Sequence, residues 1–356
     1  MEALYFDARF IRLDHHDGIS RFSTELIAAV SKTEKVIAII CDLKQLEFLP
    51  KGIEHVQLNK PEALSEFFIA RKLNKLGAKY VYSPMQIMGS WGRKYKLVLT
   101  LHDLIYYRHR KPPTDLSWLI RVIWRLYHLS YFPQRLLLNR ADAIVTVSET
   151  TKALMLKHHL TKRPIQVVYN SAGKAIKQAR TFNNSKDLLY IGSFMPYKNV
   201  ENLIIGTAQT KGFTLHLLSK ITEQRKAELV ELAQVYETKV VFHQGVSDEE
   251  YEKLLSECFA LVTASKDEGF GIPLVEAMSH GTPVVVSDLD IFMEVAGKAG
   301  HYFNPNSPAS FAKQIDFLSN KSKWESCSKQ SLAQAKMFDW DKSATALIET
   351  FNSLKN

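Results

Sequence analysis

The stretch TASKDEGFGIPLVEAMSHGTPVVVSD at residues 263–288 decides the fold of this chain. An apolar run at 260–263 leads into it, a glycine-rich turn follows, and PLVEAMSHG then has the pattern of a helix. A strand, a glycine turn and a helix aim backbone N–H groups and the positive end of a helix dipole at an anion. Glu268 and Glu276 stand around that turn with seven residues between them. A phosphate site flanked by carboxylates that accept hydroxyl hydrogen bonds predicts a nucleotide sugar as the ligand.

The glycines of this turn suit close contact between the main chain and a ligand. Gly269 and Gly271 allow backbone angles that other residues avoid, and Pro273 is well placed in the first turn of a helix. We expect Glu276 to accept hydrogen bonds from a ribose and Glu268 to accept them from a sugar ring. The backbone amides expected to meet a phosphate are those of Ile272, Leu274 and Val275.

Short apolar runs alternate with helical patterns along most of the chain. The alternation predicts βαβ units and a mostly parallel sheet with helices on both faces. With 356 residues, we expect an α/β protein of two doubly wound, Rossmann-like domains that face each other across a cleft, with ligands beyond the carboxyl ends of the strands. The predicted strands are Ala3–Phe6, Val36–Cys41, Tyr80–Tyr82, Lys96–Leu101, Ala143–Val147, Ile165–Val168, Leu188–Ile191, Thr214–Leu218, Lys239–Phe242, Ala260–Thr263 and Val284–Ser287. The clearest helical patterns are Ile19–Ser31, Thr222–Tyr236 and Glu249–Cys258, the last opened by a capping box of Ser247 and Glu250.

The formal net charge of +9 is unevenly distributed. Residues 1–168 carry 26 Lys and Arg against 15 Asp and Glu, whereas residues 169–356 carry 20 and 22. A basic half implies an anionic partner. The region 91–140 is the densest, and WLIRVIWRLYHLSYF from Trp118 has the composition of an amphipathic basic helix. This helix is either an element that lies on an anionic membrane surface or a core helix with one solvated arginine stripe. We expect no nucleic acid partner, because no recognisable nucleic-acid motif accompanies the charge.

Other patterns limit the cellular environment and the metal chemistry. Cys41, Cys258 and Cys327 are widely separated, which favours reduced thiols of a cytoplasmic protein over disulfides or a zinc site. The N-terminal sequence has no basic and apolar leader, so we expect no signal peptide, and no apolar run reaches the roughly 20 residues of a bilayer span. Asp288 and Asp290 form a D-x-D at a predicted helix start, where we expect them to cap the helix and not to bind a metal.

Several motifs together resemble one known family. DEGFGIPLVEAM followed by GTPVVVSD closely resembles the E-x7-E signature of the retaining GT-B glycosyltransferases of family four. The resemblance covers nearly the whole chain and implies a mannosyltransferase-like enzyme. The further motifs, in the order the family has them, are HHDGISRF at His15–Phe22, LTLHDL at Leu99–Leu104, VTVSE at Val145–Glu149, YIGSFMPYKNVENLI at Tyr190–Ile204, FHQGVSDEEY at Phe242–Tyr251 and FDWDKSATALIETF at Phe338–Phe351.

This resemblance implies roles for individual residues. Gly18 is expected to let the backbone approach the donor phosphates or the acceptor, and Lys198 to pair with the diphosphate. Ser193 stands in the donor site where many relatives have an arginine, which leaves the phosphate charge to Lys198 and to backbone amides. The implied catalytic residues are His102, which touches the donor sugar, together with Lys198 and Glu268.

The resemblance also implies how the sugar and the base are held. The amides of Gly269 and Phe270 are expected to orient the sugar ring. The loop with Gly245 and Val246 is expected to hold the nucleotide base, mainly through its main chain. The family's second glycine site reads LLSK at Leu217–Lys220 here, so no donor contact is assigned to it.

The stretch 169–186 is polar, contains glycine and lacks apolar periodicity, which predicts a linker between two domains. With the roles that the resemblance implies, 1–168 is the acceptor-side domain, 187–337 the nucleotide-sugar-binding domain, and 338–356 a C-terminal helix that returns to the first domain. We expect transfer of a hexose from GDP-mannose, or from a UDP-sugar, to a glycan or a lipid-linked acceptor in polysaccharide or glycolipid biosynthesis. We expect no metal cofactor, because a lysine and a helix dipole can neutralise the diphosphate. Two alternatives stay open: a GT-B nucleotide-sugar epimerase, and a non-catalytic protein that binds a sugar nucleotide or a glycan. We expect a cytoplasmic location, peripheral at the inner membrane face if the basic helix meets lipid.

Overall fold

The computed structural model describes residues 2–13, 17–110, 112, 117–173, 176 and 178–355. The strands are β1 (Leu4–Asp7), β2 (Val36–Ile40), β3 (Glu54–Gln57), β4 (Tyr80–Ser83), β5 (Lys96–Leu101), β6 (Ala143–Thr146), β7 (Ile165–Val167), β8 (Asp187–Tyr190), β9 (Thr214–Leu217), β10 (Lys239–Phe242), β11 (Ala260–Thr263), β12 (Val284–Ser287) and β13 (Gly300–Phe303). The helices are α1 (Gly18–Val30), α2 (Ile69–Lys75), α3 (Ile105–Arg108), α4 (Trp118–Tyr127), α5 (Phe132–Leu138), α6 (Glu149–Lys157), α7 (Val200–Ala208), α8 (Glu223–Val235), α9 (Asp248–Glu257), α10 (Ile272–Ser279), α11 (Asp290–Ala296), α12 (Pro308–Leu318), α13 (Lys321–Ala335) and α14 (Trp340–Ser353).

The chain divides into two compact units. The first consists of Met1–Asn170 and Asp339–Asn356, and the second of Ser171–Phe338. In the first unit the strand order is β3-β2-β1-β4-β5-β6-β7, and in the second it is β10-β9-β8-β11-β12-β13, with parallel pairing throughout both sheets. Both orders are the doubly wound arrangement of a Rossmann-like domain. The α/β class predicted from the alternating pattern is therefore confirmed.

The first unit is completed by the end of the chain. Helix α14 begins after Asp339, whose carboxylate caps it by accepting from the N–H groups of Asp341 and Lys342. The helix packs along α1 in this unit, where the Trp340 ring meets the ring of Phe22 edge to face at 5.9 Å. The C-terminal helix is thus part of the core of the first unit.

Part of the segment 169–186 is packed against the second unit. The Arg180 guanidinium donates to the carbonyl oxygens of Leu255 and Cys258 and to the Thr282 hydroxyl, and its plane lies over the Trp324 ring. Lys174, Ala175 and Lys177 of this segment lie outside the described residues. Arg180 therefore anchors the beginning of the second unit to the helices and loops around its sheet.

The predicted strands and the three clearest predicted helices agree with the structure to within one residue at each end. The helical pattern that begins at Trp118 was predicted to continue to Phe132, but α4 ends at Tyr127. Two strands, β3 and β13, were not predicted. Ser247 caps α9 as expected, because its hydroxyl accepts from the Glu250 N–H at 3.1 Å. The predicted capping by Asp288 and Asp290 is wrong, because Leu289 takes the cap position of α11 without a side-chain bond. Asp290 instead lies in the first turn of α11, where its negative charge interacts favourably with the positive end of the helix dipole.

Helix α4 in the basic region has an unusual environment. None of its residues is buried, and its exposed apolar side chains include Trp118 at 76%, Ile123 at 58% and Leu126 at 61%. The hypothesis of a core helix with a solvated arginine stripe is therefore wrong for α4. Lys111 and residues 113–116 of the same region lie outside the described residues. No described helix is both long enough and apolar enough to span a bilayer.

Candidate functional site

The site in the second unit lies where the strand order of the sheet reverses. β8 and β11 are neighbours at this point although they are far apart in sequence, and crossovers leave them in opposite directions along the sheet. In doubly wound sheets, ligands bind beyond the carboxyl ends of the strands at such a switch point. The loop after β8 carries Lys198, and the loop after β11 carries Glu268. The fold therefore brings together two predicted residues that are seventy positions apart in sequence.

Gly271 makes the turn from β11 into α10 possible. It caps α10 with φ of 92° and ψ of 51°, a left-handed conformation that L side chains rarely adopt. A Cβ atom here would lie 3.0 Å from the Phe292 ring, so a side chain at this position would be crowded as well as conformationally strained. The Leu274 N–H donates to the Gly271 carbonyl at 2.9 Å, so a phosphate at this helix end would share that donor. Leu274 and Val275 are buried, and Ile272 is half-buried.

Glu268 and Lys198 form an ion pair through Oε2 and Nζ. Their side chains are 18% and 13% exposed, so neither points into bulk solvent. The other carboxylate oxygen, Oε1, accepts from the backbone N–H of Gly269 at 3.2 Å. The predicted lysine and the first predicted glutamate are thus in direct contact. Phe270, two residues beyond Glu268, is buried with its ring against Phe338.

The backbone that carries Lys198 is held on both sides. Asn199 follows it in the left-handed conformation, with φ of 54° and ψ of 42°, and its side-chain amide donates to the Ala264 carbonyl at 3.1 Å and to the Pro305 carbonyl at 2.6 Å. The Lys266 N–H donates to the Tyr197 carbonyl at 2.7 Å. These bonds tie the loop after β8 to the loop after β11, which fixes the position from which the lysine side chain extends.

Glu276 is the second glutamate of the pair, and it lies on α10. It is half-buried, and its Oε2 accepts from the Tyr251 hydroxyl of α9 at 2.9 Å. Tyr251 itself is 4% exposed, so this bond holds the carboxylate from a rigid part of the unit. Glu276 is thereby oriented by a neighbouring helix and is not a solvated surface charge.

The turn after β8 contains the predicted residue Ser193. The buried Tyr190 hydroxyl donates to the Ser193 carbonyl at 2.6 Å, and the Gly192 N–H donates to the Ser219 hydroxyl at 3.0 Å. Burial, followed by the negative charge of Glu268, raises the pKa of Tyr190 well above 10, so the phenol stays protonated and keeps this bond. The Ser193 side chain is exposed.

The predicted base loop follows β10. Gly245 has φ of 102° and its N–H donates to the Leu218 carbonyl at 2.9 Å, while Val246 is half-buried. A Cβ atom on Gly245 would lie 3.2 Å from the Lys220 side chain. The loop is therefore shaped by a glycine that holds it close to the end of β9.

The first unit carries Gly18 and His102. Gly18 is the first residue of α1 and is exposed, and Asp17 caps that helix by accepting from the Ser20 N–H at 2.8 Å. His102 Nε2 bonds to the Pro84 carbonyl at 2.8 Å, which requires Nε2 to carry the proton. Burial lowers the pKa of His102 from 6.5, so the ring is neutral at pH 7 with Nδ1 as its acceptor nitrogen. His15 and His16 of the neighbouring motif lie outside the described residues.

Sequence analysis did not identify Asn199 or Tyr251 as site residues. Asn199 carries a signal, since asparagine between a basic residue and a helix start is among the few residues that tolerate a left-handed conformation. Tyr251 carries none, because its partner on α10 is decided by the packing of the two helices. Among the described residues, no three His, Cys, Asp or Glu side chains are grouped to hold a metal ion.

Comparisons with known proteins agree with this fold. Residues 173–336 match the family described as glycosyl transferases group 1, and residues 66–172 match glycosyltransferase family 4. The chain is 29% identical over 317 residues to the O-antigen chain mannosyltransferase RfbU of Salmonella typhimurium, which covers 84% of this chain and 86% of that protein. It is 31% identical over 181 residues to the O-antigen chain mannosyltransferase B of Escherichia coli, covering 47% and 45%.

Among solved structures, Anabaena Alr3699/HepE in complex with UDP and glucose superposes with a TM-score of 0.71 at 20% identity, covering 99% of both chains. The chain therefore belongs to the GT-B glycosyltransferases, and its sequence is mannosyltransferase-like.

Proposed function

We propose that this glycosyltransferase moves a hexose, with mannose favoured, from a nucleoside diphosphate sugar to a hydroxyl of a glycan or glycolipid, with retention of anomeric configuration. The observation that carries the proposal is the meeting of Lys198, Glu268 and the start of α10 at the switch point of the second unit. Breaking the anomeric C–O bond places negative charge on the leaving phosphate. The Lys198 ammonium and the positive end of α10 oppose that charge where it develops.

The paired acidic side chains hold the two sugars of the donor. Glu268, with the amides of Gly269 and Phe270, orients the transferred hexose. Glu276 accepts from the ribose hydroxyls, and the bond from Tyr251 keeps its carboxylate oriented for that contact. The role of His102 as a neutral contact of the donor sugar rests on the family resemblance alone.

Retention follows from attack by the acceptor hydroxyl on the face that the diphosphate leaves, with the leaving phosphate taking the acceptor proton. No residue of the sequence stands out as a covalent nucleophile, which agrees with this route. Metal ions are not required in this scheme, because Lys198 and the helix dipole neutralise the diphosphate. A chelator is expected to leave the transfer rate unchanged.

For the donor we propose GDP-mannose. Two relatives carry the name mannosyltransferase, which supports mannose, whereas the Anabaena structure holds UDP, which keeps a UDP-sugar as the alternative. UDP, GDP and ADP are compared by the increase each gives in the thermal midpoint, since a ligand that binds only the folded state stabilises it. The largest increase with GDP supports the proposal, and the largest increase with UDP replaces it with the alternative.

Single-turnover transfer tests the proposed roles. Lys198→Ala is expected to slow transfer by about 100-fold or more, because it removes the cation that opposes the leaving-group charge. Glu276→Ala is expected to weaken donor binding. Lys313→Ala is the matched control, since Lys313 is an exposed lysine of the same unit and its loss changes net charge equally. Rates near the wild-type value in both site variants would refute the proposal.

The two alternative functions would give different results in a transfer assay. A nucleotide-sugar epimerase of the same fold would release the nucleoside diphosphate without an acceptor product. A protein that only binds sugar nucleotide or glycan would neither transfer nor hydrolyse the donor. The intact set of Lys198, Glu268 and Glu276 favours transfer over binding alone, and the search for an acceptor product separates transfer from epimerisation.

We also propose that α4 brings the enzyme to an anionic membrane that carries the acceptor. Its exposed apolar side chains and its arginines suit the boundary between anionic headgroups and acyl chains. Leu126→Glu is expected to reduce sedimentation with phosphatidylglycerol vesicles. Leu43→Glu is the control, because Leu43 is also a leucine of the first unit and is 57% exposed. Equal sedimentation of the two variants, or no binding by the wild type, would refute this role.

A further inference from the structure

The Glu268 carboxylate is bound to two groups that the proposed mechanism assigns to the donor. One carboxylate oxygen pairs with the Lys198 ammonium, which is proposed to meet the diphosphate. The other accepts from the Gly269 N–H, which is proposed to orient the sugar. A carboxylate held by an ammonium and a backbone N–H has the contacts of a bound anion. The protein therefore places its own anion at the site of the ligand.

The enclosed space beside this ion pair is small. The cavity between the ends of β8 and β11 has a volume of about 20 Å³ and is lined by Lys198 and Glu268 together with Gly271 and Phe292. That volume suits roughly one water molecule. A diphosphate that occupied this cavity would have to separate the two charged side chains.

The backbone beneath Lys198 is held firmly during such a separation. Asn199 bonds to the carbonyls of Ala264 and Pro305, and Lys266 bonds to the Tyr197 carbonyl. These bonds link the loop after β8 to the loop after β11, and none of them uses the Lys198 or Glu268 side chain. We therefore expect the pair to separate by rotation of the two side chains while the loops stay bonded to each other.

We infer that Glu268 discriminates the sugar-bearing donor from the bare nucleoside diphosphate, an inference that rests on the proposed function. Either ligand must take Lys198 away from Glu268. The donor supplies sugar hydroxyls that the released carboxylate accepts, so the lost ion pair is replaced. The product diphosphate supplies none, and it leaves a carboxylate without its cation beside a phosphate of like charge. Glu268 thus opposes binding of the product and favours its release after transfer.

Titration calorimetry with UDP and with GDP tests this role. Glu268→Gln keeps the size and the amide-accepting oxygen of the side chain but removes the competing charge. It is expected to bind the nucleoside diphosphate up to about fivefold more tightly than the wild type, the upper range for a partly exposed ion pair. Single-turnover transfer by the same variant is expected to be slower, because the amide is a weaker acceptor for the sugar hydroxyls. A purely structural role would not raise affinity and lower the rate together.

Glu276→Gln is the matched control. It removes the same charge from the same site, but Glu276 bonds to Tyr251 and is not the carboxylate paired with Lys198. It is expected not to tighten diphosphate binding. Equal tightening in both variants would show a general effect of charge and would overturn the inference, as would unchanged or weaker binding by Glu268→Gln.

Glu268→Ala extends the test if the glutamine variant does not fold, since it also removes the competing anion. Its expected result is the same tighter binding of UDP or GDP. A wild type that neither binds these nucleotides nor transfers sugar refutes the proposed function itself. A wild type that binds and transfers, beside a Glu268 variant with unchanged affinity, refutes only the discrimination.

Discussion

Replacing Gly271 by alanine probes the turn on which the proposed diphosphate site is built. The left-handed backbone at φ of 92° costs an alanine about 1 kcal/mol relative to glycine. The new Cβ atom would also lie 3.0 Å from the Phe292 ring and 3.4 Å from the Leu274 side chain, where packing is already dense. Overpacking of this kind adds roughly 1–3 kcal/mol. The total destabilisation expected for Gly271→Ala is therefore about 2–4 kcal/mol.

Gly212→Ala is the matched control for this perturbation. Gly212 belongs to the same unit and has φ of 76°, but nothing lies within 4 Å of its Cβ position. This variant has the backbone cost without the steric cost, so about 1 kcal/mol is expected. For a domain of this size, 1 kcal/mol lowers the thermal midpoint by about 2–4 °C. The midpoint should therefore fall at least twice as far in Gly271→Ala as in Gly212→Ala.

Calorimetry with UDP and GDP completes the test. Gly271→Ala is expected to weaken nucleotide binding about tenfold, because relief of the contact with Phe292 moves the backbone at the start of α10. Gly212→Ala is expected to bind as the wild type does, since the turn between α7 and β9 is not part of the site. Equal midpoint shifts in the two variants would refute the steric argument. Unchanged nucleotide binding by Gly271→Ala would refute the link between this turn and the phosphates.

Three further changes test single contacts. Asn199→Gly keeps the left-handed backbone and removes two hydrogen bonds, so the free energy of unfolding in urea should fall by about 1–2 kcal/mol. Asn199→Asp places a carboxylate against two carbonyl oxygens, so its free energy of unfolding should fall further. Tyr251→Phe removes the hydroxyl that donates to the Glu276 carboxylate, so UDP or GDP should bind about fivefold more weakly while inorganic pyrophosphate, which has no ribose, binds unchanged. Burial lowers the pKa of His102 in the folded chain. As the pH falls below 6.5, the unfolded chain takes up a proton at this histidine and the folded chain does not, so the free energy of unfolding decreases. In His102→Gln, the fall in thermal midpoint between pH 7.5 and pH 5 should be smaller.

Each of these outcomes can fail in its own way. An Asn199→Asp variant as stable as Asn199→Gly would show that the two carbonyls do not require a donor. Weaker pyrophosphate binding by Tyr251→Phe would place Tyr251 at the phosphates and not behind Glu276. An unchanged pH dependence in His102→Gln would assign the acid sensitivity to other histidines.

The sequence pattern was sufficient to predict most strands of both sheets. The two strands that it did not predict, β3 and β13, share a common cause. Strand β11 is bounded as predicted because a run of buried apolar residues ends at a glycine-rich turn. Strand β3, with the sequence EHVQ, is mostly exposed, and β13, with GHYF, is mostly half-buried. Such edge strands are defined by hydrogen bonds to a neighbouring strand and not by their own hydropathy. The same limit applies to α4, whose composition allowed a core or a surface position until its exposure was seen.

The sequence by itself determined the fold class and the glycine-rich turn after β11, because alternation and glycines are local signals. It predicted Glu268 and Glu276 from their places around that turn, and Lys198 from the family resemblance. Only the tertiary structure decided which of them touch. Lys198 meets Glu268 because the sheet places β8 beside β11, and Glu276 meets Tyr251 because α9 packs near α10. Contacts between distant segments depend on the order and packing of whole elements, and no local pattern of residues records them.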